Sequence, residues 1–178
     1  MKGKFIVFEG IDYSGKRTQA QLLLEYLKAK GEDGIYTSEP TYTHPFGKLI
    51  KRWLDNKFEL NSDQAITLLY IADRYEHLAE TIIPELEKGK TVICDRYLYS
   101  TLAYEGALFG ADMYWMKQIH SYALKPHIKI FIDTPPEECM SRVEKADRLE
   151  KLEIQKKVYE AYKKILRTDR GFYVINGN

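Results

Sequence analysis

The run Gly10-Ile11-Asp12-Tyr13-Ser14-Gly15-Lys16-Arg17-Thr18 has the spacing of a phosphate-gripping loop, G-x-x-x-x-G-K. Glycines at those positions let successive backbone N–H groups turn inward on a polyphosphate, and the Lys16 ammonium can reach its outer phosphates. A nucleoside triphosphate would then be held mainly by main chain. One position departs from the pattern, because Ser or Thr is expected after the lysine as a Mg2+ ligand and the chain has Arg17 there. A guanidinium facing Mg2+ would be strongly repelled, so Arg17 must point away or contact phosphate itself. Thr18 offers a substitute hydroxyl, although an ideal helix aims it in another direction.

Further chemistry-bearing groups recur along the chain. Asp12 puts a carboxylate inside the phosphate loop, where bound nucleotide repels it unless it has a task such as orienting an acceptor phosphate or its metal shell. The plain alternative is an Asx-turn residue. Asp95 and Arg96 follow an apolar run, Thr91 to Cys94, and precede Tyr97, Tyr99, Ser100 and Tyr104. An aspartate at that point can hold Mg2+ through water, and an arginine beside it can clamp a phosphate with its planar fork. Tyr70 and Arg74, at i and i+4, share one helical face. Spacing alone favours a core aromatic with a solvated arginine there.

Positioning these groups requires alternating elements. Short apolar runs at Lys4 to Phe8, Gly34 to Thr37, Thr91 to Cys94, Ile128 to Ile132 and Phe172 to Ile175 read as strands covered on both faces. Between them the periodicity predicts helices at Lys16 to Lys30, Pro45 to Asn56, Ser62 to Thr81, Met113 to Ala123, Pro136 to Val143 and Glu150 to Leu166. Ser62 is the expected N-cap of the third, and Leu22, Leu23, Tyr26 and Leu27 the expected buried stripe of the first. The pattern is that of βα units, with helices on both faces of a parallel sheet and ligands beyond the carboxyl ends of the strands.

With 178 residues the chain has room for one domain with a substantial core. Its 27 basic and 26 acidic residues leave a formal charge of +1, so no global field draws it to nucleic acid or membrane. Any anion must be captured locally. No apolar run reaches the length of a membrane span and no cleavable leader is legible, so a cytoplasmic protein is expected. Cys94 and Cys139 form no CxxC pair and are read as reduced and structural.

From Phe5 to about Ile175 the chain resembles the thymidylate kinases. The resemblance is carried by Phe8-Glu9-Gly10-Ile11-Asp12 with Gly15-Lys16 and Thr18-Gln19, by Leu68-Leu69-Tyr70-Ile71-Ala72-Asp73-Arg74, by Cys94-Asp95-Arg96-Tyr97 and by Ile132-Asp133-Thr134-Pro135-Pro136-Glu137. It implies a three-layer P-loop NTPase fold over residues 1–178, a five-stranded parallel sheet in the order 2-3-1-4-5, and a short lid at about 142–150. It also implies transfer of the γ-phosphoryl group of ATP to dTMP with Mg2+, in a homodimer.

By the same resemblance Gly10, Ile11, Asp12, Tyr13, Ser14, Gly15, Lys16, Arg17 and Thr18, with Arg142, hold ATP. Asp12, Tyr70, Arg74, Arg96, Ser100 and Tyr104 hold the acceptor, Tyr70 stacking on the base, Arg74 reaching its carbonyl and Tyr104 excluding a 2′-hydroxyl. Lys16, Asp12, Asp95 and Arg148 are the expected catalytic residues, with Asp95 organising the metal. Arg148 is the first choice of lid cation and Arg142 the second. Two features depart from the family: Ser38-Glu39-Pro40-Thr41-Tyr42 carries no arginine, and the family continues into a helix beyond the last strand. Two rival readings stand beside this one. One is a kinase for another (deoxy)nucleotide or a deoxynucleoside; the other is a nucleotide-binding protein whose catalysis Arg17 impairs.

Overall fold

A computed structural model of the chain describes residues 3–144 and 146–178. Within them the apolar runs become β1 (Phe5–Glu9), β2 (Gly34–Ser38), β3 (Thr91–Asp95), β4 (Ile128–Asp133) and β5 (Phe172–Asn176). They form one sheet in the order β2-β3-β1-β4-β5, every pairing parallel, as the sequence leads one to expect. The helices are α1 (Lys16–Ala29), α2 (Pro45–Leu54), α3 (Asp63–His77), α4 (Ile83–Glu87), α5 (Leu98–Leu108), α6 (Met113–Ile119), α7 (Pro136–Ser141) and α8 (Leu152–Thr168).

Alternation along β1 explains the layering. Phe5 and Val7 pack with Leu78, Ile82 and Leu86 on one side of the sheet, while Ile6 and Phe8 meet Ala20 of α1 on the other. Burying each such side chain contributes about 1.5–3 kcal/mol. The central strand is thereby fixed on both faces, and the loop that follows it starts from a rigid base. A further cluster joins Phe131 of β4 to Val158 and Tyr162 of α8, and another unites α2 with α3 through Ile50, Trp53, Leu54 and Ile66.

Several sequence expectations are corrected. The stripe of α1 that packs on the sheet is buried Ala20 with half-buried Leu23, Leu24 and Leu27; Leu22 and Tyr26 are exposed. Ser62 takes the N-cap position of α3 but its hydroxyl donates to Gln64 instead of capping. The long helix expected to Thr81 ends at His77 and passes through a wider turn, Leu78–Ile82, before α4. Pro84 has no N–H to donate to a carbonyl four residues back, which accounts for the shifted register. Helix α6 stops at Ile119 instead of Ala123. Helix α5 is missing from the expected elements because the polar residues of Leu98–Leu108, Ser100, Thr101 and Glu105, are buried and no solvent-facing polar stripe marks a 3.6-residue period. Strand β5 is open on its outer side, with Tyr173, Val174 and Ile175 exposed, so its apolar run does not signal cover on both faces. On α3, Ile66 and Ile71 are buried within the chain and Leu68 is exposed.

Candidate active site

Beyond the carboxyl end of β1 the chain turns through Gly10, Tyr13 and Gly15, all at positive φ, into α1. At Gly10 a Cβ would lie 2.7 Å from Ser14 Oγ and 2.9 Å from the Ile132 carbonyl oxygen, so only glycine fits. Gly15 stands in open space at φ 97°, and there the backbone conformation alone requires glycine. Tyr13 holds φ 60° without being glycine, a strained position of the kind that clusters at functional sites. The Lys16 ammonium folds back over this loop, donating to the Ile11 carbonyl at 2.6 Å. Burial, with Arg96 nearby, pushes its pKa down to about 8.

Two clefts open beside the loop. One is lined by Tyr13, Gly15, Lys16, Arg17, Thr18, Asp95 and Arg142. The other runs between α3 and α5 past Tyr70, Arg74, Tyr97, Thr101, Tyr104 and Glu105, with Trp53 and Phe109 among its walls. Asp12, Arg96 and Glu150 line both.

That shared wall is tightly built. Arg96, itself at φ 69°, donates to the Gly10 carbonyl at 3.0 Å, to Ser100 Oγ at 3.1 Å and to the Asp12 carboxylate. Asp12 also accepts from Tyr104 Oη and Gln155 Nε2, each at 2.6 Å. Burial alone would raise the Asp12 carboxyl, but Arg96 and Lys16 outweigh it and hold it below the usual range. Ser100 donates to the buried carboxylate of Glu9, so its hydroxyl supports Arg96 and Glu9. Tyr97 N–H and Tyr162 Oη also donate to Glu9.

The remaining expected residues are placed as follows. Asp95 ends β3 beside Lys16 and Arg17 in the loop cleft; its Oδ1 is buried with no hydrogen-bond partner among the described residues. Arg17 is exposed and makes no ion pair among the described residues. Tyr70 and Arg74 share a wall of the acceptor-side cleft. The lid expected at 142–150 includes residue 145, which lies outside the described residues. Within it, Arg142 donates to the Tyr13 carbonyl at 3.1 Å and faces the loop. Arg148, expected as the catalytic lid cation, lines neither cleft. It is bound to Glu59 at 2.6 Å and stacked over Trp53 at 4.4 Å, because α2 and the segment after it lie closer than the phosphate loop.

Sequence reasoning missed Gln155, Glu105, Thr67, Thr101 and His120. Gln155 is fully buried on α8 in line with Val158 and Tyr162, and a polar residue on an apolar stripe was a usable signal. It bridges Asp12 and the Leu149 carbonyl, tying the lid segment to the loop. Thr67 Oγ1 donates to the Glu105 carboxyl group and lies 3.0 Å from the Asp63 carbonyl oxygen; burial pushes Glu105 up to about 7 although the Thr67 bond opposes it. Glu39, His77 and Cys94 bring potential metal ligands within 4.8 Å of one another. Arg74 and His77 already occupy the carboxylate, and the Cys94 thiol donates to the Arg96 carbonyl.

A loop of this geometry, joined through one arginine to an aromatic cleft, matches what comparison with known proteins returns. The family model described as thymidylate kinase matches residues 8–178. The chain belongs to the thymidylate kinase family. It is 42% identical over 184 residues to a probable thymidylate kinase of Pyrococcus abyssi, covering 99% of this chain and 89% of that one. The thymidylate kinase of Plasmodium falciparum is 38% identical over 169 residues, covering 94% of this chain and 80% of the other. Among solved structures, the thymidylate kinase of Candida albicans superimposes with a TM-score of 0.81 at 31% identity, covering 98% of this chain and 84% of that one. Membership carries the reaction of thymidylate kinases, ATP-dependent phosphorylation of dTMP, to this chain. No helix among the described residues is long and apolar enough to cross a membrane.

Proposed function

We propose that phosphoryl transfer takes place where the two clefts meet, with ATP in the loop cleft, dTMP in the aromatic cleft and Arg96 between their phosphates. The observation that carries this is the common wall of Asp12 and Arg96, which brings both phosphate ends to one guanidinium. Catalysis of this kind needs positioning and charge neutralisation more than covalent chemistry. Lys16, its pKa lowered by burial, is held charged when phosphate oxygens surround it and then stabilises the moving group. Asp12, held ionised, fixes the direction of Arg96 toward the acceptor. Tyr70 offers a ring face to thymine, Arg74 donors to its carbonyl, and Tyr104 fills the space a 2′-hydroxyl would need.

Mg2+ belongs to the same proposal. The unpartnered, buried Asp95 Oδ1 fits a hydrated divalent cation at the strand end, whereas Arg17 removes the hydroxyl a loop of this type supplies. When bound with the triphosphate, Mg2+ supplies neutralisation of the β- and γ-phosphate charge. Arg142, bonded to the loop at Tyr13, is better supported than Arg148 as the lid cation. A cytoplasmic homodimer completes the reading, supported by the resemblance alone.

The test is a panel of deoxynucleoside and ribonucleoside monophosphates with ATP and Mg2+. Equal amounts of ADP and dTDP, with dTMP preferred over UMP, are expected. Tight ATP binding with no ADP formed on adding any acceptor would instead favour the nucleotide-binding reading that Arg17 motivates.

A further inference from the structure

Arg74 carries its charge into a site where it is only 2% exposed, and the surrounding side chains account for three of the five N–H groups of its guanidinium. Nε–H donates to Glu39 Oε2 at 2.7 Å, Nη1 to His120 Nε2 at 2.8 Å and Nη2 to Thr101 Oγ1 at 2.9 Å. The Tyr97 ring lies against the guanidinium at 5.1 Å. A planar fork pinned at three points has one N–H left on each terminal nitrogen, and Arg74 lines the acceptor cleft.

The pins are themselves held. Glu39 Oε1 accepts from His77 Nδ1 at 3.2 Å, and the Thr37 hydroxyl meets His77 Nε2 at 2.7 Å. On the far side His120 Nδ1–H donates to the Met116 carbonyl at 2.6 Å. That bond fixes the tautomer and leaves the Nε2 lone pair facing Arg74.

We propose that His120 is a positioning residue for base recognition: its Nε2 accepts from Arg74 Nη1 and so directs the remaining guanidinium N–H groups at the 4-substituent of the acceptor base. The inference rests on the reading of Arg74 as the residue that meets the thymine 4-carbonyl. A carbonyl there accepts from the fork, while an amino group would set N–H against N–H. Burial, with the charge of Arg74, pushes His120 down to about 4, against the opposing pull of the Met116 carbonyl and Glu39. The ring is therefore neutral at ordinary pH and keeps its lone pair.

The readout is the preference for dTMP over 5-methyl-dCMP, which differ at the 4-position alone in the pattern Arg74 reads. Wild type should prefer dTMP by at least about tenfold in kcat/KM. His120→Phe keeps the ring's bulk without an acceptor; it should raise the dTMP KM by about tenfold, leave kcat and the ATP KM within about twofold, and bring the preference toward one. His120→Gln, whose amide oxygen falls near the place of Nε2, should restore both, whereas His120→Asn, which reaches only the place of Nδ1, should not.

A preference kept by folded His120→Phe overturns the proposal. Should that variant fail to fold, equal preferences in His120→Gln and His120→Asn overturn it instead. Arg74→Met separates the two levels of the argument. If it abolishes the preference while His120→Phe does not, the role of Arg74 stands and that of His120 falls. If Arg74→Met leaves the preference intact, the reading of Arg74 fails and the proposal fails with it.

Discussion

The loop cleft takes most of its parts from one unbroken run, Gly10 to Thr18, whereas the acceptor cleft is assembled from side chains on α2, α3, α5 and the lid segment. In the first, backbone geometry does the gripping, and a single Cβ at Gly10 would close it. In the second, recognition depends on buried polar groups that fix one another across long separations, such as Glu39, Arg74 and His120. A site built from contiguous main chain depends on the backbone conformation of a few residues, while a site built from a buried network depends on each member keeping its partners.

The sharpest way to break that comparison is at the loop. Lys16→Met should lower kcat by about 1000-fold or more while leaving the melting temperature nearly unchanged, because its side chain bonds only loop atoms. Steady-state kinetics with thermal unfolding checks both. Asp12→Asn, which removes the charge facing Arg96, should lower kcat/KM for dTMP by about 100-fold. Gln155→Leu should be milder, about tenfold in kcat, since Asp12 keeps Arg96 and Tyr104 while losing its two bonds to Gln155 and, through them, the tie to the lid segment.

The acceptor cleft also makes a prediction in pH. The folded Glu105 pKa, about 7, lies above its unfolded value, so its contribution is fully present below about pH 4.5 and lost as pH rises through 7. Glu9, also raised by burial, adds in the same direction. Unfolding free energy measured by denaturant titration should therefore carry a component falling by up to roughly 3 kcal/mol between pH 4.5 and 7, and Glu105→Gln should remove it. The smallest effect is expected at Arg17, exposed at the cleft mouth. Arg17→Ser should raise the dTMP KM by about threefold if its charge helps hold the acceptor phosphate, and an unchanged KM rules that help out.

The same contrast explains how far the sequence could be read. The strands and the loop were legible because both rest on local signals, apolar runs of strand length and glycines at fixed spacing before a helix, while the order of the strands followed from the resemblance to thymidylate kinases. Helix α5 was not legible, since its polar residues Ser100, Thr101 and Glu105 are buried and no solvent-facing polar stripe marks its period. His120 gave no signal at all, because its importance lies in a contact with Arg74 across 46 positions of chain. Arg148 shows the converse, a residue matched by motif whose side chain is taken up by Glu59 and Trp53. Gln155 could have been found, since an amide on the stripe of Val158 and Tyr162 needs a buried partner.

The most direct test of the account is a crystal structure of the chain soaked with dTMP and ADP. It should show the ADP phosphates encircled by main-chain amides of Gly10 to Thr18, thymine over Tyr70 with its 4-carbonyl at Arg74, and the dTMP phosphate at Arg96. A dTMP phosphate bound away from Arg96, or thymine turned from Arg74, would contradict the two-cleft arrangement.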